Sequence, residues 1–170
     1  MKEHQLSHNF NFQVDETGRP LVMQLHGSFE AFGVVFDYLS RTDPFTRFPV
    51  GHFCSIVRQQ LRMGHHLVAM EGPIVVGYVG WILTSKEIGE QWQRADGKLM
   101  ATAENKADAA ALTVVASKDR SILIRLIRGA RTLNPGRRVY FKREYDDDTK
   151  SQRKSSVANV VRSSATIKVV

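Results

Sequence analysis

Gly72-Pro73-Ile74-Val75-Val76-Gly77-Tyr78-Val79-Gly80-Trp81-Ile82-Leu83 is the stretch that decides the fold. Its β-branched and aromatic content predicts a long central strand from Ile74 to Leu83. Glu71-Gly72-Pro73 reads as a turn, with His65-His66-Leu67-Val68-Ala69-Met70 as the strand that enters it. Glycines 77 and 80 offer no side chain to pack. The strand is therefore expected to bend there, or to be closely approached by a neighbour.

Upstream, Phe53, Ile56, Val57, Gln60 and Leu61 share one stripe of a helix predicted from about Gly51 to Met63, and Gly64 suits its C-terminal end. Phe29, Phe32, Val35, Phe36 and Leu39 predict a shorter helix, broken at Thr42-Asp43-Pro44 because proline disfavours helix in the residue before it. Phe10–Val14 and Leu21–Leu25 alternate around Asp15-Glu16-Thr17-Gly18, the pattern of a hairpin. Downstream, Thr84-Ser85-Lys86-Glu87 opens a helix with capping residues and an early acid. Ala110 to Ala116 reads as a buried strand, and Ser117 can cap the helix that carries Ile122, Leu123, Leu126, Ile127 and Ala130. Leu133-Asn134-Pro135-Gly136 stops that helix, and Arg138 to Tyr145 is a last strand. Mixed elements of this kind define an α/β class, an α+β sandwich with helices on a sheet.

The chain has 170 residues, enough for one domain with its own core. Cys54 is the only cysteine, which excludes an internal disulfide and argues against a structural zinc site. No apolar run approaches the ~20 residues that span a bilayer, and the N-terminus lacks a signal-peptide pattern, so a cytoplasmic protein is expected. Charge is uneven. Residues 1–117 carry 10 Lys/Arg against 12 Asp/Glu, whereas residues 118–170 carry 14 against 5. The basic third points to an acidic partner, either nucleic acid, an anionic membrane surface or an acidic protein, or else to a solvated basic helix with a loose tail.

Asp43-Pro44-Phe45-Thr46-Arg47-Phe48-Pro49-Val50, then Pro73…Gly77-Tyr78…Trp81, then Asp108 before the Leu112–Ala116 strand, stand in an order that resembles the toxin-activating lysine acyltransferases. These bacterial enzymes fatty-acylate lysines on RTX pore-forming toxins. The resemblance runs from about Tyr38 to Tyr145. It implies a Gcn5-type N-acetyltransferase-like fold, with a mixed, largely antiparallel sheet flanked by helices. It divides the chain into an N-terminal extension (1–28), an acyltransferase-like domain (29–145) and a polar basic tail (146–170) expected to be mobile. It implies acyl-acyl carrier protein as co-substrate, with no bound cofactor or metal, and permits a homodimer.

The resemblance also places a histidine, taken as catalytic in that family, at the position of Thr46, and a second functional residue at Asp108. Removing the proton of a lysine amine needs a base near neutral pH, which imidazole supplies and a threonine hydroxyl does not. His52, close to the start of the second helix, is the candidate substitute; its plain alternative is a helix-surface histidine. Asp108 could orient a base, hold the amine, or simply bond local backbone amides. Tyr78 and Trp81 could line an acyl pocket or fill the core. His65 and His66 point to opposite faces of their strand and read as structural. Ser117-Lys118-Asp119-Arg120-Ser121 has no glycine for close approach to a pyrophosphate, so coenzyme A is not expected. Lys118, Arg120, Arg125, Arg128 and Arg131 would suit an acidic carrier protein.

Three functions follow from these residues: a protein lysine acyltransferase with reduced or lost activity, a non-catalytic binding or regulatory module on the same scaffold, and a nucleic-acid binder using the basic third with Tyr140, Phe141 and Tyr145.

Overall fold

The computed structural model describes residues 18–94 and 96–142. Strand β1 (Leu21–Met23) leads into helices α1 (Phe29–Ser40) and α2 (Val50–Arg62), with a single 3₁₀ turn, Phe45–Arg47, between them. Strands β2 (His66–Glu71) and β3 (Ile74–Thr84), helix α3 (Lys86–Gln93), strand β4 (Ala109–Ser117), helix α4 (Arg120–Thr132) and strand β5 (Arg138–Phe141) complete it. The five strands form one sheet in chain order. β1 to β4 pair antiparallel, while β5 joins β4 in parallel through the α4 crossover. This is the expected α/β class, a mixed and largely antiparallel sheet with helices on both faces. The first arm of the expected hairpin and the 146–170 tail lie outside the described residues. The second arm, β1, pairs with β2.

Two cores sandwich the sheet. Helices α1 and α2 bring Val35, Leu39, Phe53 and Val57 down on Val68, Tyr78 and Val114. Helix α4 brings Ile122, Leu126 and Ala130 onto Leu67, Val79, Leu112 and Val139 on the other face. Successive strand residues face opposite ways, so the odd spacing of Gly77 and Gly80 puts one glycine under each layer. A Cβ on Gly77 would lie 2.8 Å from Leu126 Cδ1 and 2.9 Å from Ile122 Cγ2, and one on Gly80 would overlap the Gln60 amide. The close approach foreseen at both glycines is what the structure shows. The strand also departs from regularity, because Gly80 faces Val114 while Trp81 faces Leu112. Thr113 is therefore the extra residue of a bulge in β4.

Local capping follows the sequence with one correction. Ser85 caps α3 by accepting from Ile88 N–H at 3.3 Å. Gly64, Gly72 and Gly136 take the positive φ that their turns demand, at +66°, +60° and +73°. Ser117, expected to cap α4, does not. Asp119 takes that place, accepting from Ser121 N–H at 2.6 Å. The Ser117 hydroxyl lies two residues earlier, donating to Val76 O at 3.1 Å and accepting from Asp119 N–H at 3.2 Å. A carboxylate beside the first amides of a helix also meets the favourable end of its dipole, which favours aspartate there.

Two substitutions test this packing by chemical denaturation. Gly80→Ala is expected to lower stability by about 1–3 kcal/mol, since the added methyl must displace a well-packed amide. Gly33→Ala, mid-helix in α1 with nothing within 4 Å of its Cβ, is expected to raise it by about 0.5–1 kcal/mol.

Candidate functional site

Pairing between β4 and β5 ends at Leu112 and Phe141. From Thr113 to Ser117, β4 continues without a strand partner on that side among the described residues. A cleft of about 950 Å³ opens there. Its floor is Leu112, Thr113, Val115 and Ala116 of β4, and α2 contributes His52, Ile56 and Gln59. Leu123 and Ile127 of α4 border it, with Lys118 at one end and Trp92, Phe141 and Lys142 towards the other. The Lys142 ammonium sits 5.1 Å from the Trp92 ring centroid. A smaller cavity of about 120 Å³, lined by Met63, His65, Trp81 and Leu83, shares Ile56, Gln59, Ile82 and Ala101 with the cleft.

Three phenyl rings fix the segment from Asp43 to Val50. Phe45 stacks on Phe53 at 5.4 Å, and Phe48 meets both edge-on, at 5.5 Å from Phe45 and 5.7 Å from Phe53. Such pairs add directional preference to ordinary burial. They lock the 3₁₀ turn to the first turns of α2 and so hold His52, which is exposed, on the cleft wall. Phe45 is buried by that turn, while the next residue, Thr46, is turned to solvent. The Thr46 hydroxyl donates to Asp43 Oδ1 at 2.6 Å. Asp43 lines the cleft, whereas Thr46 does not.

Asp108 lies at the other end of β4 from Ser117. Its Oδ1 accepts from Lys86 N–H, the first amide of α3, at 2.7 Å, and its Oδ2 is 3.8 Å from Lys86 Nζ. It lines neither cavity. Of the three site residues read from the sequence, only His52 borders the cleft; Thr46 and Asp108 are each held in local bonds. Tyr78 is fully buried, and Trp81, 2% exposed, forms part of the smaller cavity. Tyr140 is also fully buried and packs against Gly89 of α3, and Phe141 borders the cleft. Tyr145 lies outside the described residues.

A buried polar network lies under the cleft. Gln60 is 2% exposed, and its amide occupies the space over Gly80. Tyr78 Oη donates to Gln60 Oε1 at 3.0 Å, and Gln60 Nε2 donates to Thr113 Oγ1 at 2.8 Å. Burial pushes the Tyr78 phenol well above its ordinary value, so it stays protonated and keeps donating. His66 completes the group. Its Nε2 accepts from Leu25 N–H at 3.0 Å, which leaves Nδ1 to carry the proton towards Gln60 O at 3.3 Å. Burial lowers the His66 pKa to about 4, against a smaller upward effect of the Gln60 carbonyl. His65 is half-buried, and burial also lowers its pKa, with Glu104 opposing and Arg137 adding to the shift.

Gln60 and Thr113 were passed over in the sequence. The one available signal was a glutamine on the apolar stripe of α2, because a polar side chain there must find buried partners. Among the described residues no group of three or more His, Cys, Asp or Glu could hold a metal ion. None of their helices is long and apolar enough to cross a membrane.

Comparison with known proteins adds little. No family model matches the chain, and no curated protein is significantly similar to it. Among solved structures, an N-acetyltransferase from Staphylococcus aureus Mu50 aligns at 14% identity with a TM-score of 0.41, covering 72% of this chain and 80% of that one.

His66 gives this region a pH signature. Its folded pKa lies below the unfolded value of 6.5, so the unfolded state takes up the proton first. Stability is complete above that value and falls as pH drops from about 6.5 to about 4, by roughly 3 kcal/mol in all. Melting curves across this range check it; His66→Gln, which has no ionising ring, is expected to flatten the slope.

Proposed function

We propose that the chain is an acyltransferase-type protein that receives an acyl chain from acyl-acyl carrier protein in the β4–β5 cleft and passes it to a protein lysine. The observation that carries this reading is the cleft itself: about 950 Å³ beside the half of β4 that has no strand partner on that side among the described residues, with a mostly apolar floor and one imidazole on its wall. In the reaction the lysine nitrogen forms a bond to the thioester carbonyl carbon as the C–S bond breaks. The proton leaving the amine passes through His52 to the departing carrier thiolate, so the products are an amide and a thiol. His52 suits the base role because neutral imidazole accepts protons near working pH.

The start of α4 supports a carrier protein over coenzyme A as the donor. There the Asp119 carboxylate already holds Ser121 N–H and would repel a pyrophosphate. Hydrogen bonds from Ser121 keep the Asp119 pKa below its ordinary value, so the repelling charge persists in mildly acidic solution. Lys118, at the cleft mouth, with Arg120 and Arg128 exposed on α4, offers positive charge to an acidic carrier.

One observation favours a second reading, a binding or regulatory module on the same scaffold. The position that carries a histidine in the family it resembles holds Thr46 here, whose hydroxyl is already bonded to Asp43.

Incubation with C14–C16 acyl-carrier protein and a lysine-bearing protein substrate tests the two. On the enzyme reading acyl transfer is seen, and His52→Ala lowers its rate by about 10²–10⁴-fold. Transfer absent from the native protein but gained by Thr46→His, beside Asp43, supports the module reading. Full activity in His52→Ala removes His52 from the mechanism.

A further inference from the structure

The cleft contains a hydroxyl whose direction is set from below. Thr113 is the bulged residue of β4, one position beyond the last residue paired with β5, and it forms part of the cleft floor. Its Oγ1 accepts from Gln60 Nε2 at 2.8 Å. The orientation of the Gln60 amide is in turn dictated by the buried Tyr78 phenol, which donates to Oε1 at 3.0 Å. Reversing the amide would leave the phenol proton without an acceptor, a costly state for a fully buried group. A hydroxyl has one donor and two acceptor positions. With one acceptor position taken by Gln60, the hydrogen of Thr113 is left to donate, and no group among the described residues takes it.

We propose that the Thr113 hydroxyl donates to the acyl carbonyl oxygen in the cleft, with Gln60 and Tyr78 as positioning residues that keep that donor aimed. The inference deepens the acyl-transfer reading above and rests on it. A donor fixed before substrate arrives favours the negative charge that builds on the carbonyl oxygen as the amine adds, and needs no reorganisation at that moment. Gly80 is part of the device, because only a residue without Cβ leaves room for the amide that sets the hydroxyl.

The test compares three variants under the acyl-carrier assay, with cooperative melting as the check on folding. Thr113→Val keeps the shape and removes the donor; it is expected to lower kcat by about 10²–10³-fold with KM little changed. Thr113→Ser, which restores the hydroxyl, is expected to recover most of that loss. Gln60→Glu replaces the donor amide by a carboxylate that draws the Thr113 hydrogen to itself, so kcat falls as in Thr113→Val. Infrared spectra of bound ¹³C-carbonyl acyl thioester supply a readout that packing alone would not move. The carbonyl band sits at lower frequency in the native protein and Thr113→Ser than in Thr113→Val.

Native-like kcat and an unshifted carbonyl band in Thr113→Val overturn the proposal while leaving the acyl-transfer reading intact. Absence of both binding and transfer in the native protein overturns that reading, and this inference with it.

Discussion

The Gln60 amide, threaded over Gly80 between the Tyr78 phenol and the Thr113 hydroxyl, fixes where α2 sits on the sheet. A carboxamide buried in an apolar layer is stabilising only when its donors and acceptor are matched, and leaving one unmatched costs about 1–3 kcal/mol. Here β3 and β4 supply the partners of the α2 amide, so a slip of the helix along the strands breaks both bonds together. The backbone of the same residue extends the constraint, because Gln60 O receives both His65 N–H and the His66 ring. The turn from α2 into β2 is thus tied to the point where β4 bulges. Polar contacts of this sort specify one packing more strongly than apolar contacts, which tolerate rearrangement.

From that anchoring the cleft follows. Helices α1 and α2 occupy one face of the sheet and α4 the other, while β5 pairs with β4 over four residue pairs among the described residues. The crossover through α4 carries β5 to the edge at the Ala109 end, where α3 closes over Tyr140, and the Thr113–Ser117 half of β4 is left open on that side among the described residues. Ala109, Ala110 and Ala111 are fully buried in the paired half. Alanine is not a strong strand former. Its small side chains suit a central strand with close neighbours on both faces.

Much of this was legible in the residues. The glycines of β3 announced close approach, the stripe from Phe53 to Leu61 announced α2, and Asn134-Pro135-Gly136 announced the end of α4, because each signal is local and has one physical meaning. The site was less legible. A spacing pattern places Asp108 before a strand but does not say whether its carboxylate faces a cleft or caps a helix 22 residues upstream, as it does with Lys86. Thr46 and Asp43 bond within a single turn, a pairing that sequence leaves open. Gln60 and Thr113 lie 53 residues apart, and nothing in either segment names the other. Long-range polar partnerships are the part of a fold that periodicity does not encode.

The charges around the cleft bear on what it can admit. Its floor is apolar apart from the Thr113 hydroxyl, and Lys118 stands at one end and Lys142 towards the other, the latter held over Trp92. Asp43 is the acidic residue among the groups that line it, and that carboxylate already accepts from Thr46. Such a groove favours a long apolar chain joined to an acidic head, since the chain gains from leaving water while the head keeps its hydration near a cation. It disfavours a multiply charged head seated against backbone amides, because Asp119 has claimed the amide at the start of α4. The acyl-carrier donor proposed above would meet both conditions, with its charge spread over the outer surface and only its acyl chain entering. The aspartate that caps α4 therefore shapes the site as much as the residues inside it, by deciding from which side a ligand can bring its charge.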